Sequence, residues 1–174
     1  MICLPDLSNP AGREFYVSMG SLFVGSGPSD ILKTFVGSCV GLCLYDRTTK
    51  QGGLAHVMLP DSNGKDPLSD LDAKYADHAL KSMTKIIEQR GGSRNRLVAR
   101  IAGGATMFSP EGKHDEPLFN VGLRNITTLK ALLRDMRIPI LSEDIGSNCG
   151  RWLIFYLSSG QLLISKRARE GVAT

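Results

Sequence analysis

The stretch Lys33–Pro60, KTFVGSCVGLCLYDRTTKQGGLAHVMLP, decides how this chain folds. Phe35 to Tyr45 is dense in Val, Leu, Phe and Cys, the pattern of a buried strand, and Leu54 to Leu59 is a second apolar run of strand length. Between them Asp46 to Gly53, DRTTKQGG, is polar and ends in two glycines, which predicts a hairpin-type connection. Two neighbouring strands bring Cys39 of the first run close to His56 of the second. Gly37, lacking a Cβ, offers a place where the chain can bend just ahead of Cys39.

A thiol beside an imidazole is the pairing that nucleophilic catalysis needs. Near an ordinary pKa of about 8.5 a thiol is only a few per cent thiolate at neutral pH, so a working nucleophile requires an adjacent base. Backbone N–H groups at Gly37, Ser38 and Cys39 could then receive the oxyanion formed when sulfur attacks a carbonyl. The same residues also fit a plain core, because a free cysteine packs as a small hydrophobe. No general Cys/His spacing transfers between folds, so spacing alone leaves both readings open.

Longer strings carry more information. Thr34-Phe35-Val36-Gly37-Ser38-Cys39-Val40, Cys43-Leu44-Tyr45-Asp46 and Gly52-Gly53-Leu54-Ala55-His56-Val57-Met58-Leu59-Pro60 closely resemble the chemoreceptor glutamine deamidase family, CheD. The likeness continues through Lys74-Tyr75-Ala76-Asp77, Ile101 to Phe108 (IAGGATMF), Asn120 to Asn125 (NVGLRN) and Ser142 to Gly146 (SEDIG), so it runs from about Glu14 to Lys166. The resemblance implies hydrolysis of selected glutamine side chains on methyl-accepting chemoreceptors to glutamate and ammonia, by a cysteine, a histidine and a threonine. Cys39 matches the nucleophile, His56 the base, and Thr34 the third member, with Ser38 as the other polar candidate. It further implies a CheC-type phosphatase as a second partner and Met107 and Phe108 as a protein-contact rim; methyl-ester hydrolysis, which uses the same tetrahedral chemistry, is expected as a side activity, and no cofactor is expected. Thr34 and Cys39 are an odd number of positions apart, so a regular strand would turn their side chains to opposite faces and the Gly37-Ser38 bend must break the alternation.

Outside the central stretch the chain reads as support. At 174 residues, 42% hydrophobic and 22% charged, it has the bulk of one domain with a real core. We expect an arm over 1–12, a single domain over 13–167 and a tail over 168–174. No run approaches the roughly 18 apolar residues of a membrane span, and the opening MICLPDLSNPAG lacks the layout of a signal peptide, which makes the cytoplasm the expected compartment. A net charge of +4 spread along the chain lacks the dense basic stripe of a nucleic-acid surface.

Glu14 to Ser18 and Ser21 to Val24 read as short strands. Ala76, Ala79, Leu80, Met83 and Ile87 mark a helix capped by Ser69 or Asp70 and ended by Gly91-Gly92. His78 lies about 200° round that helix from Leu80, which predicts a solvated side chain. Leu97 to Ile101 is a strand whose Gly103-Gly104 lacks the pattern of a phosphate-binding loop. His114 sits in a polar loop. Asn125 is expected to cap a second helix with Ile126, Leu129, Leu132, Leu133 and Met136 on one face. Ile140 to Asp144, Arg151 to Leu157 and Gln161 to Lys166 are strands, the last two joined by Ser158-Ser159-Gly160. The fold class expected, in line with the resemblance, is α/β (α+β): a layered α/β/β sandwich of two packed sheets with two main helices covering one side.

Two other classes compete. Cys39, Cys43, His56 and Cys149 could complete a tetrahedral zinc site, although Cys43 lies mid-strand where structural ligands are rarely found. A non-catalytic regulator could keep the fold and bind receptors or the phosphatase; the joint presence of Cys39 and His56 argues against it.

Overall fold

A computed structural model describes residues 12–25, 27, 29–106 and 120–167. Its strands are β1 (Glu14–Tyr16), β2 (Leu22–Val24), β3 (Ile31–Val36), β4 (Val40–Asp46), β5 (Gln51–Val57), β6 (Leu97–Gly103), β7 (Ile140–Ile145), β8 (Gly150–Tyr156) and β9 (Gln161–Arg167). The helices are α1 (Ala76–Gln89) and α2 (Val121–Asp135). The strands form a four-stranded sheet in the order β1-β3-β8-β9 and a five-stranded sheet in the order β2-β5-β4-β6-β7. Both sheets mix parallel and antiparallel pairs.

Alternation along the strands builds the layers. On β4, Val40, Leu42 and Leu44 join Ala79, Leu80, Met83 and Ile87 of α1 and Ile126, Leu129 and Leu133 of α2 in one buried cluster. The opposite face sends Cys43 and Tyr45 into a second cluster with Leu32 and Phe155 of the other sheet and Leu157 just beyond β8. Thus the five-stranded sheet is the middle layer, with helices on one face and the four-stranded sheet on the other, the expected α/β/β sandwich. Such two-face burial explains why β4 reads as a continuous apolar run. Gly41 lets the facing sheet approach closely here: a Cβ would come within 2.2 Å of Leu153 Cδ1 and would force that side chain to turn aside.

The structure changes several local expectations. Phe35 to Tyr45 is two strands in different sheets, because residues 37–39 bend and carry the chain across the sandwich. Helix α1 starts after Tyr75 without a side-chain cap, and Ser69 instead accepts from Leu71 N–H. Helix α2 begins after Asn120, so Asn125 lies inside it, fully buried, its Nδ2 donating to the Met58 carbonyl. His78 is 6% exposed rather than solvated, since the 61–68 loop covers that side of α1 and the Lys65 carbonyl stands 2.8 Å from Nε2. Among the described residues no helix is long and apolar enough to cross a membrane.

Candidate active site

The chain leaves β3 at Val36, bends at 37–39, and enters the other sheet at Val40. Leu32, Thr34 and Val36 are buried in the sandwich while Lys33 and Phe35 are only half-buried, so Thr34 points at the facing sheet. There β5 pairs antiparallel with β4, with His56 opposite Gly41. Side chains at Cys39, Gly41 and Cys43 share one face, and cross-strand partners point the same way. Cys39 sits in the bend one residue ahead of β4, and His56, opposite Gly41, lies on the same inner side of the sheet. The half-buried Cys39 packs against Val36, Ala102 and Leu153.

Thr34 and His56 meet across the gap between the sheets. Thr34 Oγ1 lies 2.8 Å from the Val17 carbonyl and 2.8 Å from His56 Nδ1. A carbonyl can only accept, so the hydroxyl donates its single proton to Val17, and Nδ1–H donates to the hydroxyl oxygen. The network assigns one tautomer: Nδ1 carries the proton and Nε2 keeps a lone pair. The threonine is thus placed with the histidine, and the parity objection disappears because β3 and Cys39 are not one continuous strand.

Burial sets both titrations in the same sense. His56 is only 4% exposed, and desolvation lowers its pKa from 6.5 to about 4. Burial likewise pushes the Cys39 thiol up. Near neutral pH the two groups are therefore a thiol and a neutral imidazole with a free lone pair, the protonation states that a nucleophile and its base require before proton transfer.

Neighbouring backbone fixes the bend. Gly104 N–H donates to the Cys39 carbonyl and Ala105 N–H to the Gly37 carbonyl, both at 2.8 Å. Gly103 and Gly104 have φ of +122° and +67°, and a Cβ on Gly103 would come within 2.3 Å of the Cys39 carbonyl oxygen. Among the described residues no carbonyl accepts from the Ser38 or Cys39 amides.

Met107 and Phe108 lie outside the described residues, as does His114. Cys43 faces the buried cluster between the sheets and desolvation raises its pKa, which suits a core residue rather than a ligand. Among the described residues no three His, Cys, Asp or Glu side chains are grouped to hold a metal ion. Sequence reasoning missed the Val17 carbonyl, which leaves no mark in a sequence. It also missed Arg151, whose only signal is a charge inside an apolar run.

Residues 58–166 match a family model described as CheD chemotactic sensory transduction. A probable chemoreceptor glutamine deamidase CheD of Archaeoglobus fulgidus is 43% identical over 162 residues, 92% of this chain and 97% of its own length. One of Moorella thermoacetica is 42% identical, covering 87% of this chain and 90% of its own, and the chemoreceptor glutamine deamidase CheD of Thermotoga maritima is 39% identical, covering 86% and 90%. The family model begins after His56, whereas a match over 92% of the chain necessarily includes Thr34, Cys39 and His56. Among solved structures, the Bacillus licheniformis hypothetical protein YfiH is similar over 78% of this chain and 60% of its own, with a TM-score of 0.48 and 13% identity, a likeness that bears on neither fold nor function.

Proposed function

This chain belongs to the CheD family, and we propose that it is a protein-glutamine deamidase acting on chemoreceptors, with Cys39 as nucleophile, His56 as base and Thr34 as the group that orients it. The observation that carries the reading is the Val17–Thr34–His56 chain of hydrogen bonds, which leaves Nε2 unprotonated on the face shared with Cys39.

His56 Nε2 takes the thiol proton as Cys39 Sγ attacks the glutamine amide carbon, forming a tetrahedral oxyanion. The bend amides of Ser38 and Cys39, which no described backbone carbonyl occupies and to which Gly37 gives freedom, receive that oxygen. Collapse breaks the C–N bond, the imidazolium protonates the departing ammonia, and a thioester remains. Water, deprotonated by the same nitrogen, releases glutamate and returns the proton to sulfur. A neutral starting pair suits this cycle, because the imidazole is free to take the thiol proton and then pass it to ammonia.

The substrate's amide must be brought to a half-buried thiol, so binding energy from the surrounding receptor helix is needed to place it. Free glutamine is then a poor substrate. In this reading Met107 and Phe108 contribute to the rim that grips receptors or a CheC-type phosphatase, and the protein works in the cytoplasm, where receptor signalling domains are exposed.

Peptide mass spectrometry of a chemoreceptor cytoplasmic fragment from the same organism tests the proposal. Amide-to-acid conversion at particular glutamines with the wild type and none with Cys39→Ala is the expected result. Conversion by Cys39→Ala at the wild-type rate removes the nucleophile from the scheme. No conversion by either protein moves the reading to a receptor-binding regulator.

A further inference from the structure

Arg151 is the largest side chain buried without measurable exposure, and its charge lies between the sheets close to the bend. Its backbone pairs with Val36, the last residue of β3 before Gly37. Nη1 donates to the carbonyl and to the side chain of Asp144 on β7, and Nη2 donates to the carbonyls of Gly146 and, at 3.5 Å, Cys149. Nε alone finds no partner among the described residues.

A buried ion pair is weak evidence for stability, since the desolvation of two charges often equals what they gain by pairing. The acceptors here say more: three of the four are backbone carbonyls of one segment, 144–149. That segment is in turn tied to the strand beside the bend. Gly146 N–H donates to the Gly103 carbonyl and Thr106 N–H to the Ser147 carbonyl, each at 2.9 Å. Gly104 and Ala105 then hold the Cys39 and Gly37 carbonyls. The connections form a closed circuit from Val36 through the guanidinium, the turn and Gly103–Thr106 back to the bend. The turn does not hold its own shape cheaply, because Gly146 and Ser147 both have positive φ, +74° and +70°, and the second is a non-glycine.

We infer that Arg151 is a positioning residue for the nucleophile: its fork fixes the 144–149 turn and, through Gly103–Thr106, the bend that presents Cys39. The planar fork is what the site uses, since a lysine ammonium cannot reach this spread of carbonyls in the same geometry. The inference rests on Cys39 being the reactive thiol, so it is read out on the thiol itself as well as on deamidation.

The test compares the wild type with Arg151→Gln and Arg151→Lys, using three measurements. Steady-state deamidation of the receptor fragment should show kcat lowered about 10- to 100-fold with KM within a few-fold, as misplacement of a reacting group predicts. Alkylation of Cys39 by iodoacetamide, followed at its peptide across pH 6 to 10, should shift its midpoint to lower pH as the loosened bend exposes sulfur to water. A purely structural arginine would lower the melting temperature and leave that profile in place in the folded protein. Wild-type kcat and an unmoved alkylation profile in a folded Arg151→Gln protein overturn the inference. If neither variant folds, amide hydrogen exchange of the wild type decides it: Gly104, Ala105, Thr106 and Gly146 should exchange as one unit. Protection of Gly104 and Ala105 more than about a hundredfold above Gly146 would show the bend held without the turn and refute the coupling. Alkylation and exchange need no receptor, so a failure of the deamidase reading stays distinguishable from a failure of this one.

Discussion

Lowering the pH from 7 to 4 should destabilise this fold through His56 by about 3 kcal/mol. The imidazole has an ordinary pKa of 6.5 in the unfolded chain and about 4 when buried between the sheets. Between those values the unfolded state binds the extra proton, so unfolding is favoured as pH falls: the contribution is fully intact above about 6.5 and fully lost near 4. At about 1.4 kcal/mol for each pH step separating the two pKa values, the integrated loss is about 3 kcal/mol. Burial is the resolved cause of the shift, so the penalty is the desolvation of an imidazolium in a closed seam. The carboxylates of Asp46, Asp72 and Asp77, all held below the usual range by hydrogen bonds that outweigh burial, act in the same sense at lower pH. Urea unfolding of the wild type and His56→Gln at steps from pH 7 to 4 cancels them. The glutamine variant should be the less stable at pH 7, having lost the Thr34 bond, and the gap should narrow by about 3 kcal/mol toward pH 4. A gap constant within about 0.5 kcal/mol over that range refutes the buried neutral imidazole on which the site depends.

Thr34→Val should leave the Val17 carbonyl and His56 Nδ1–H without a partner, a loss of about 1–3 kcal/mol that appears as a 10- to 100-fold fall in kcat, while Thr34→Ser keeps the rate within a few-fold; steady-state deamidation measures both. Gly103→Ala combines a left-handed backbone with a Cβ 2.3 Å from the Cys39 carbonyl, so kcat should collapse and thermal unfolding should show at least about 2 kcal/mol of destabilisation. Asp46→Ala, far from the bend, removes the acceptor for Arg96 and for the Thr48, Thr49 and Ser93 amides; about 2–4 kcal/mol of stability should go in urea titration, with kcat of the folded protein unchanged.

What could be read in the sequence followed the strength of the local signal. Long apolar runs gave the strands, helical spacing gave the inner faces of α1 and α2, and the layer order came from the family likeness. That the strand following Cys39 pairs with the strand carrying His56 was legible because β4 and β5 are joined by a short hairpin. The division of Phe35–Tyr45 was not, because Val36 and Val40 are equally apolar and nothing between them marks a change of sheet. His78 illustrates a second limit: helical periodicity identifies the face against the main core, while cover from the 61–68 loop is a tertiary event that a moment cannot register. Asn favours helix starts, which predicts a cap at Asn125, yet its amide answers the distant Met58 carbonyl. Arg151 lay hidden for a related reason: its acceptors are backbone carbonyls, and no side-chain pattern announces them.

The Thr34–His56 hydrogen bond crosses from one sheet to the other, and this bears on how the protein comes into being. A newly made chain holds the thiol, the imidazole and the hydroxyl within a short span of sequence, yet the hydroxyl can orient the ring only once β3, assembled with β8 from the far end of the chain, has closed over β5. Synthesis must therefore proceed past Tyr156 before the sheet that carries Thr34 is complete and that hydrogen bond is held in place. A truncated or half-folded copy would carry Thr34, Cys39 and His56 and still lack the hydrogen bond that fixes the ring, so under the proposed mechanism the chemistry waits until the sandwich has shut.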